Sequence, residues 1–298
     1  MKPETVTDFD LYINVGGHLV LYAPNPYHWS KGELERLKTE GHDTLFFQKG
    51  NEERVSAYQK ISVIPQIEEG LPPHHRIQSI TQVAAEFSKI LYEHPLSDST
   101  LSKGRQIIDS LISCIQENVT CVSALGHLAT HDEYTYYHSG RVAAYATAIA
   151  MQMTLSDRNL LEELALGCLL HDVGKSKIDA KILGKPGPLT PAEWDLVRKH
   201  TQWGIEITKD ANLDIVPTEV VLHHHERADG RGYPHGLGRH ELLDEVTIAS
   251  FADLFDALTT VRPYQQTRTR YEALDFIRHH MIEQINKDAF KAMVEIFR

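Results

Sequence analysis

The stretch Leu169-Leu170-His171-Asp172-Val173-Gly174-Lys175 puts two side chains able to ligate a metal at the end of an apolar helical run, with a lysine one turn beyond. Some fifty residues later comes a second dense cluster, His223-His224-His225-Glu226-Arg227-Ala228-Asp229-Gly230-Arg231-Gly232-Tyr233-Pro234. A chain that uses both must bring separate helices to one place, as a helical bundle with inward-facing polar side chains does. A histidine–aspartate pair says little by itself. Joined to the second cluster, it points to a metal-dependent hydrolase.

The rest of the chain divides into two textures. Residues 1 to about 70 predict a small α/β unit. Asp10 to Tyr22 reads as two short strands about a Gly16-Gly17 turn. Ser30-Lys31-Gly32-Glu33 is a capping box opening a helix that Gly41 closes. Thr44 to Phe47 predicts a further strand and Glu52 to Lys60 a short helix. Gly70-Leu71-Pro72-Pro73 reads as a linker. Residues 71–298 predict helices alone, so the fold class is α+β: a small N-terminal α/β domain followed by an all-α bundle. Ile107, Ile108, Leu111, Ile112 and Ile115 form one helical stripe, and residues 138–154 an alanine-rich helix. Thr190-Pro191-Ala192-Glu193 combines a capping box with proline at the first helical position, predicting a helix that carries His200. Val220 to Glu226, Val246 to Val261 and Tyr271 to Phe297 supply the remaining helices.

Composition excludes several classes. The formal net charge of −11 argues against a polymeric nucleic-acid partner, which needs a basic face. The N-terminal unit through residue 75 is itself acidic, with seven Lys and Arg against eleven Asp and Glu. A small anionic ligand stays compatible with this charge, because local cations decide its binding. No apolar run reaches membrane-spanning length, and Met1-Lys2-Pro3-Glu4 lacks the apolar core of a signal peptide. Cys114, Cys121 and Cys168 are odd in number and not spaced as zinc ligands, and read as reduced core residues of a cytoplasmic protein.

Adjacent residues on a helix lie about 100° apart, so His171 and Asp172 on one helix would not point the same way. They can still serve two neighbouring ions if the carboxylate bridges them. Histidine nitrogen with carboxylate oxygen suits iron, manganese or zinc. Two ions about 3.5–4 Å apart can hold a bridging hydroxide that attacks phosphorus.

Between about Thr130 and Tyr264 the chain resembles the HD-GYP family of HD phosphohydrolases, associated with hydrolysis of cyclic di-GMP. The resemblance lies in Tyr134-Thr135-Tyr136-Tyr137-His138-Ser139-Gly140-Arg141-Val142, then His171-Asp172-Val173-Gly174-Lys175, then Gly187-Pro188-Leu189-Thr190 with His200. It continues through His224-His225-Glu226, Asp229-Gly230 and Gly232-Tyr233-Pro234, then Ala252-Asp253-Leu254-Phe255-Asp256-Ala257-Leu258 and Arg262-Pro263-Tyr264. It implies an all-α HD-type bundle and two divalent metal ions, Fe or Mn with Zn as an alternative. It assigns ligation to His138, His171, Asp172, His200, His224, His225 and Asp253, with Asp172 bridging. Lys175 would sit at the phosphate and assist the leaving oxygen, and Arg262 would hold the phosphate by its planar fork. Tyr233 would touch substrate.

Residue by residue, plainer readings stand beside these. A lone histidine such as His138 is more often a hydrogen-bonded core residue, and His127, His131 and His138 share one helical face. His223 reads as a surface or ligand-supporting residue. Asp256, three residues after Asp253, reads as orienting a ligand. Gly230, Gly232 and Pro234 suit a tight loop, and Lys175 alone would suit a helix C-terminus.

The chain also departs from the family pattern. Ala228 stands where tryptophan is frequent, Arg231 where a small residue is usual, and Gln265 where a base is common. Tyr134 occupies the position of a glutamate found in three-metal members, which predicts two ions and a mainly linear pGpG product. The leading expectation is a cyclic di-GMP phosphodiesterase with a binuclear centre. The alternatives are an HD phosphohydrolase acting on another nucleotide, and a weakly active cyclic-dinucleotide-binding or adaptor protein. The N-terminal unit, or the Gly232-Tyr233-Pro234 loop, would serve a protein partner.

Overall fold

The structure, a computed structural model, describes residues 1–3, 5–63, 70–94, 96–125, 134–260 and 268–298, with the backbone alone for Val63, Tyr134 and Thr135. Strands β2 (Leu11–Val15) and β3 (His18–Ala23) form the expected hairpin, paired from Leu11↔Ala23 to Val15↔His18. Gly16 and Gly17 both have positive φ, which a two-residue turn of this twist requires. Strand β5 (Phe46–Phe47) joins the other edge of β2. A second, two-stranded sheet pairs β1 (Thr5–Thr7) with β4 (Tyr27–Trp29), which the sequence reading did not anticipate. Helix α1 (Lys31–Thr39) starts on the Ser30/Glu33 capping box, and α2 (Glu52–Val63) follows. Phe9, Leu11, Trp29, Leu37 and Tyr58 make a core separate from that of the bundle.

Among the described residues, everything beyond Gly70 that is regular is helical, apart from one isolated bridge between Asp229 and Gly238. Helix α3 (Pro73–Glu93) buries Ile77, Ile80, Ala84, Phe87 and Leu91 along one stripe, and α4 (Asp98–Glu117) packs beside it. Pro72 and Pro73 of the expected linker cap and open α3. Helix α5 (Tyr134–Gln152) runs through the centre. Its buried Ala143, Ala144, Ala146, Ala148 and Ala150 leave room for α3 and for α6 (Arg158–Leu170) to approach closely.

Short helix α7 (Ala180–Leu183) leads to α8 (Pro191–Arg198), which opens on the expected Thr190/Glu193 capping box. The helix breaks at Lys199, so His200 begins α9 (His200–Thr208) instead of riding on α8. Helix α10 (Ile215–His223) packs on α6, and α11 (Asp244–Thr259) packs on α5. The single C-terminal helix expected from Tyr271 to Phe297 is two, α12 (Arg270–His280) and α13 (Lys287–Ile296), because Asn286 caps the second by accepting from the Asp288 and Ala289 amides. All three cysteines are buried and free. Among the described residues no helix is long and apolar enough to cross a membrane.

Candidate metal centre

Five helix ends or faces converge on one buried cluster. His138 comes from α5, His171 and Asp172 from the end of α6, and His200 from the start of α9. His224 and His225 follow α10, and Asp253 lies on α11. Their ligating atoms fall into two groups: Asp172, His200, His224 and His225, then His138, His171 and Asp253. All seven candidate ligands named from the sequence therefore meet.

Helix α6 ends at Leu170, with His171 as its αR cap and Asp172 at φ −98°, ψ 4°. Both side chains reach the cluster, Asp172 between the two groups. His171 Nε2 is 3.4 Å from Asp172 Oδ2. Val173–Lys177 continues as a tight 3-10 turn packed on α9. Gly174 permits that approach, because a Cβ there would collide with the His200 carbonyl. The same contact ties the His171-Asp172 pair to His200.

Asp172 lies between the two groups. Its Oδ1 is 3.5 Å from His200 Nε2 and 3.9 Å from His224 Nε2, while its Oδ2 is 3.8 Å from His138 Nε2. Lys175 Nζ donates to Oδ2 at 2.5 Å. Tyr92 of α3 donates to the Asp172 carbonyl at 3.1 Å.

The supporting hydrogen bonds fix which histidine nitrogens face inward. The Nδ1–H groups of His171, His200 and His224 donate to the carbonyls of Cys168 at 2.6 Å, Val197 at 2.7 Å and Val220 at 3.0 Å. Each Nε2 is then left with its lone pair toward the cluster, as the hydrogen-bond partners of metal-binding imidazoles arrange it. His138 Nδ1 donates to Asp256 Oδ2 at 2.7 Å, and Arg141 clamps both oxygens of Asp256 at 2.6 and 3.0 Å. The orienting role expected of Asp256 is thus met geometrically; Arg141 was not singled out from the sequence, although its place three residues after His138 puts it on the same face.

The donor set fits divalent cations. The His171 Nε2 and Asp172 Oδ1 atoms are buried with no hydrogen-bond partner among the described residues, an arrangement that costs free energy unless a cation satisfies them. Burial holds His200 down at about 4 and His225 at about 3, and lowers His224 as well, so all three stay neutral and able to ligate. Burial works against charge on Asp172 and Asp253 too, yet His171 and Lys175 hold Asp172 well below the usual carboxylate range, and His138 does the same for Asp253. Burial opposes charge on His138, but its bonds to Asp253 and Asp256 outweigh this and raise it.

Five of the seven candidate ligands, His138, His200, His224, His225 and Asp253, line a cavity of about 590 Å³. Trp194, Val197 and Arg198 of α8 line one side, and Phe251 and Leu254 of α11 another. Tyr233 sits over the cluster, its ring 4.7 Å from that of His225. A Cβ on Gly232 would collide with the backbone at His225 and Glu226, so the loop reading of that glycine holds. Glu226 was missed as a structural residue: its buried carboxylate accepts the amides of His235, Gly236 and Leu237 at 2.6, 3.0 and 3.1 Å and pins the loop beside the histidine pair. His223 is not a surface residue. It is 6% exposed, with Nδ1 2.8 Å from Glu219 and Nε2 2.9 Å from His235, outside both ligand groups. Arg262 and Gln265, and also His127 and His131, lie outside the described residues.

Residues 125–286 match the HD domain family. The chain belongs to that family. Its relatives and its Gly232-Tyr233-Pro234 loop place it in the HD-GYP branch. A cyclic di-GMP phosphodiesterase of Pseudomonas aeruginosa is 38% identical over 169 residues, covering 56% of this chain and 41% of that one. A cyclic di-GMP phosphodiesterase of Thermotoga maritima is 39% identical over 144 residues, covering 48% and 39%. The 3'3'-cGAMP-specific phosphodiesterase 3 of Vibrio cholerae is 34% identical over 186 residues, covering 62% and 39%. The chain spans about two fifths of the length of these relatives. The fold is shared with an HDG"Y"P protein from Bdellovibrio bacteriovorus, with a TM-score of 0.67 at 19% identity, over 99% of this chain and 96% of that one.

Proposed function

We propose that this protein is a metal-dependent phosphodiesterase that opens cyclic di-GMP, mainly to linear pGpG. The position of Asp172 carries the reading, one carboxylate oxygen toward each histidine group. In this reading His200, His224 and His225 hold one ion, His138, His171 and Asp253 hold the other, and Asp172 is shared. Fe or Mn suits these nitrogen and oxygen donors, with Zn as the alternative. Two such ions supply an activated water for attack on phosphorus and neutralise the phosphodiester.

Lys175, lining the cavity beside Asp172, pairs with the phosphate and gives a proton to the leaving oxygen. Arg262 holds the phosphate, and Tyr233 contacts the substrate over the His225 ring. Tyr134 favours two ions over three, because a phenol with a pKa of roughly 10 stays protonated and ligates poorly. With one fewer ion and with the uncharged Gln265, the linear dinucleotide is held weakly and leaves before a second cut.

The test is hydrolysis of cyclic di-GMP and of a generic phosphodiester with Mn²⁺ or Fe²⁺, alongside metal analysis of anaerobically purified protein. Preferential cleavage of cyclic di-GMP, accumulating pGpG, and two ions per chain are expected. Three ions per chain would overturn the binuclear reading, and rapid GMP without pGpG would overturn the product. Tight binding of cyclic di-GMP with no turnover would make the protein a binding module.

A further inference from the structure

Trp194 is 47% exposed at the mouth of the metal cavity. Arg198, one turn further along α8, lies 5.9 Å from the indole and 5.6 Å from the ring of Tyr233. Tyr233 in turn lies against His225 at 4.7 Å, at an angle of 32°. Planar groups therefore lead from a candidate metal ligand out to the solvent edge of the cavity. The guanidinium lies near both rings, while its ion pair with the exposed Asp195 is 3.9 Å long. Among the described residues, its N–H donors thus meet no closer carboxylate.

A cyclic dinucleotide carries two planar bases on either side of a phosphate–sugar ring. With one phosphate over the metal cluster, a base has to lie along a wall. The α11 side offers apolar contact from Phe251 and Leu254, and the hydroxyls of its Thr247 and Ser250 already donate to the carbonyls of Asp244 and Val246. The α8 side offers an exposed aromatic face together with a planar cation. Resting on the cyclic-dinucleotide reading of the site, we propose that Trp194 and Arg198 bind and identify one purine base of the substrate. The indole stacks on the base, and Arg198 donates to O6 and N7 of guanine, a pair of acceptors that adenine lacks because its N6 is itself a donor.

The test uses the metal-loaded full chain and steady-state hydrolysis of cyclic di-GMP and cyclic di-AMP. For Trp194→Ala, loss of a stacked base should raise KM for cyclic di-GMP about tenfold with a smaller change in kcat, and Trp194→Phe should recover most of it. For Arg198→Gln, the ratio of kcat/KM for cyclic di-GMP over cyclic di-AMP should fall about tenfold, since glutamine suits adenine. Metal content and helical circular dichroism report on the integrity of each variant. If Trp194→Ala leaves KM unchanged, or Arg198→Gln lowers both substrates equally, the base-binding wall is wrong while the phosphodiesterase reading stands. If the wild-type chain neither binds nor cleaves a cyclic dinucleotide, both readings fall before any variant is compared.

Discussion

The Nε2 atoms of His200 and His224 lie 3.1 Å apart, and each ring spends its Nδ1 proton on a backbone carbonyl. Two bare lone pairs at that distance repel, unless a cation sits between them. Nitrogens about 2.0–2.1 Å from a common ion fit such a spacing. Asp172 Oδ1, 3.5 Å from His200, completes the same group, while its Oδ2 reaches toward the neighbouring one, 3.4 Å from His171 Nε2. Removing this carboxylate deletes the one side chain among the described residues that would serve both ions. We expect Asp172→Ala to lose most bound metal and activity while its helical circular dichroism stays near wild type. Wild-type metal content in that variant, measured by plasma mass spectrometry, would remove Asp172 from the site.

The same histidines set the acid sensitivity of the metal-free protein. Burial depresses His200 to about 4 and His225 to about 3, and also lowers His224, against 6.5 in an unfolded chain. The unfolded state therefore takes up protons that the folded state refuses. Stability must fall as pH drops from 6.5 toward 4, by about 1.4 kcal/mol per pH unit for each histidine. His138 is raised and so acts above 6.5, and the depressed carboxylates Asp172, Asp253 and Asp256 act below their usual range near 3.8, outside this window. Urea unfolding of chelator-treated protein at pH 6.5, 5.5 and 4.5, inside that window, should show a falling midpoint. A flat profile would mean these rings are not held neutral.

Much of the site was legible in the sequence because its ligands occur in compact clusters with a recognisable order. His171-Asp172, His224-His225 and Asp253 needed only to be placed on helices that could converge. The directions of the side chains were not legible, since they depend on where α6 and α10 stop. His171-Asp172 and His224-His225 stand just past those endings, at Leu170 and His223. Long-range partners were equally hidden: Arg141 and Asp256 are 115 residues apart, and Tyr92 reaches Asp172 from α3. In the N-terminal unit, Gly16-Gly17 announced the β2–β3 hairpin. The β1–β4 pair escaped because each strand has three residues and the partners are joined through non-local contacts.

The separability of the N-terminal unit is a further expectation. It has its own core around Phe9, Trp29 and Tyr58, yet α2 contributes Ile61 to the core of the bundle. Lys60 also pairs with Glu93 of α3 at 2.5 Å on an exposed surface, an interaction worth little. A chain beginning at His74 should fold and keep its metals, at a cost of about 2–4 kcal/mol for the lost Ile61 packing. Aggregation, or loss of metal at room temperature, would show that the first seventy residues are part of one structural unit with the bundle.

Lys175 distinguishes support of the metal site from action on the substrate. Its Nζ lies 2.5 Å from Asp172 Oδ2, yet its side chain remains 21% exposed and lines the cavity. A lysine whose task was to neutralise Asp172 would become dispensable once cations occupy the cluster, since they supply that charge. A lysine that meets the phosphate would matter most as charge builds on the leaving oxygen. We therefore expect Lys175→Ala to keep wild-type metal content while turnover falls on the order of 10²-fold, the usual scale for losing a positioned acid or charge-assisted contact at a reacting centre. The loss should appear in kcat at saturating substrate, because the contact strengthens in the transition state. Unchanged kcat with altered metal content would assign Lys175 to Asp172 alone.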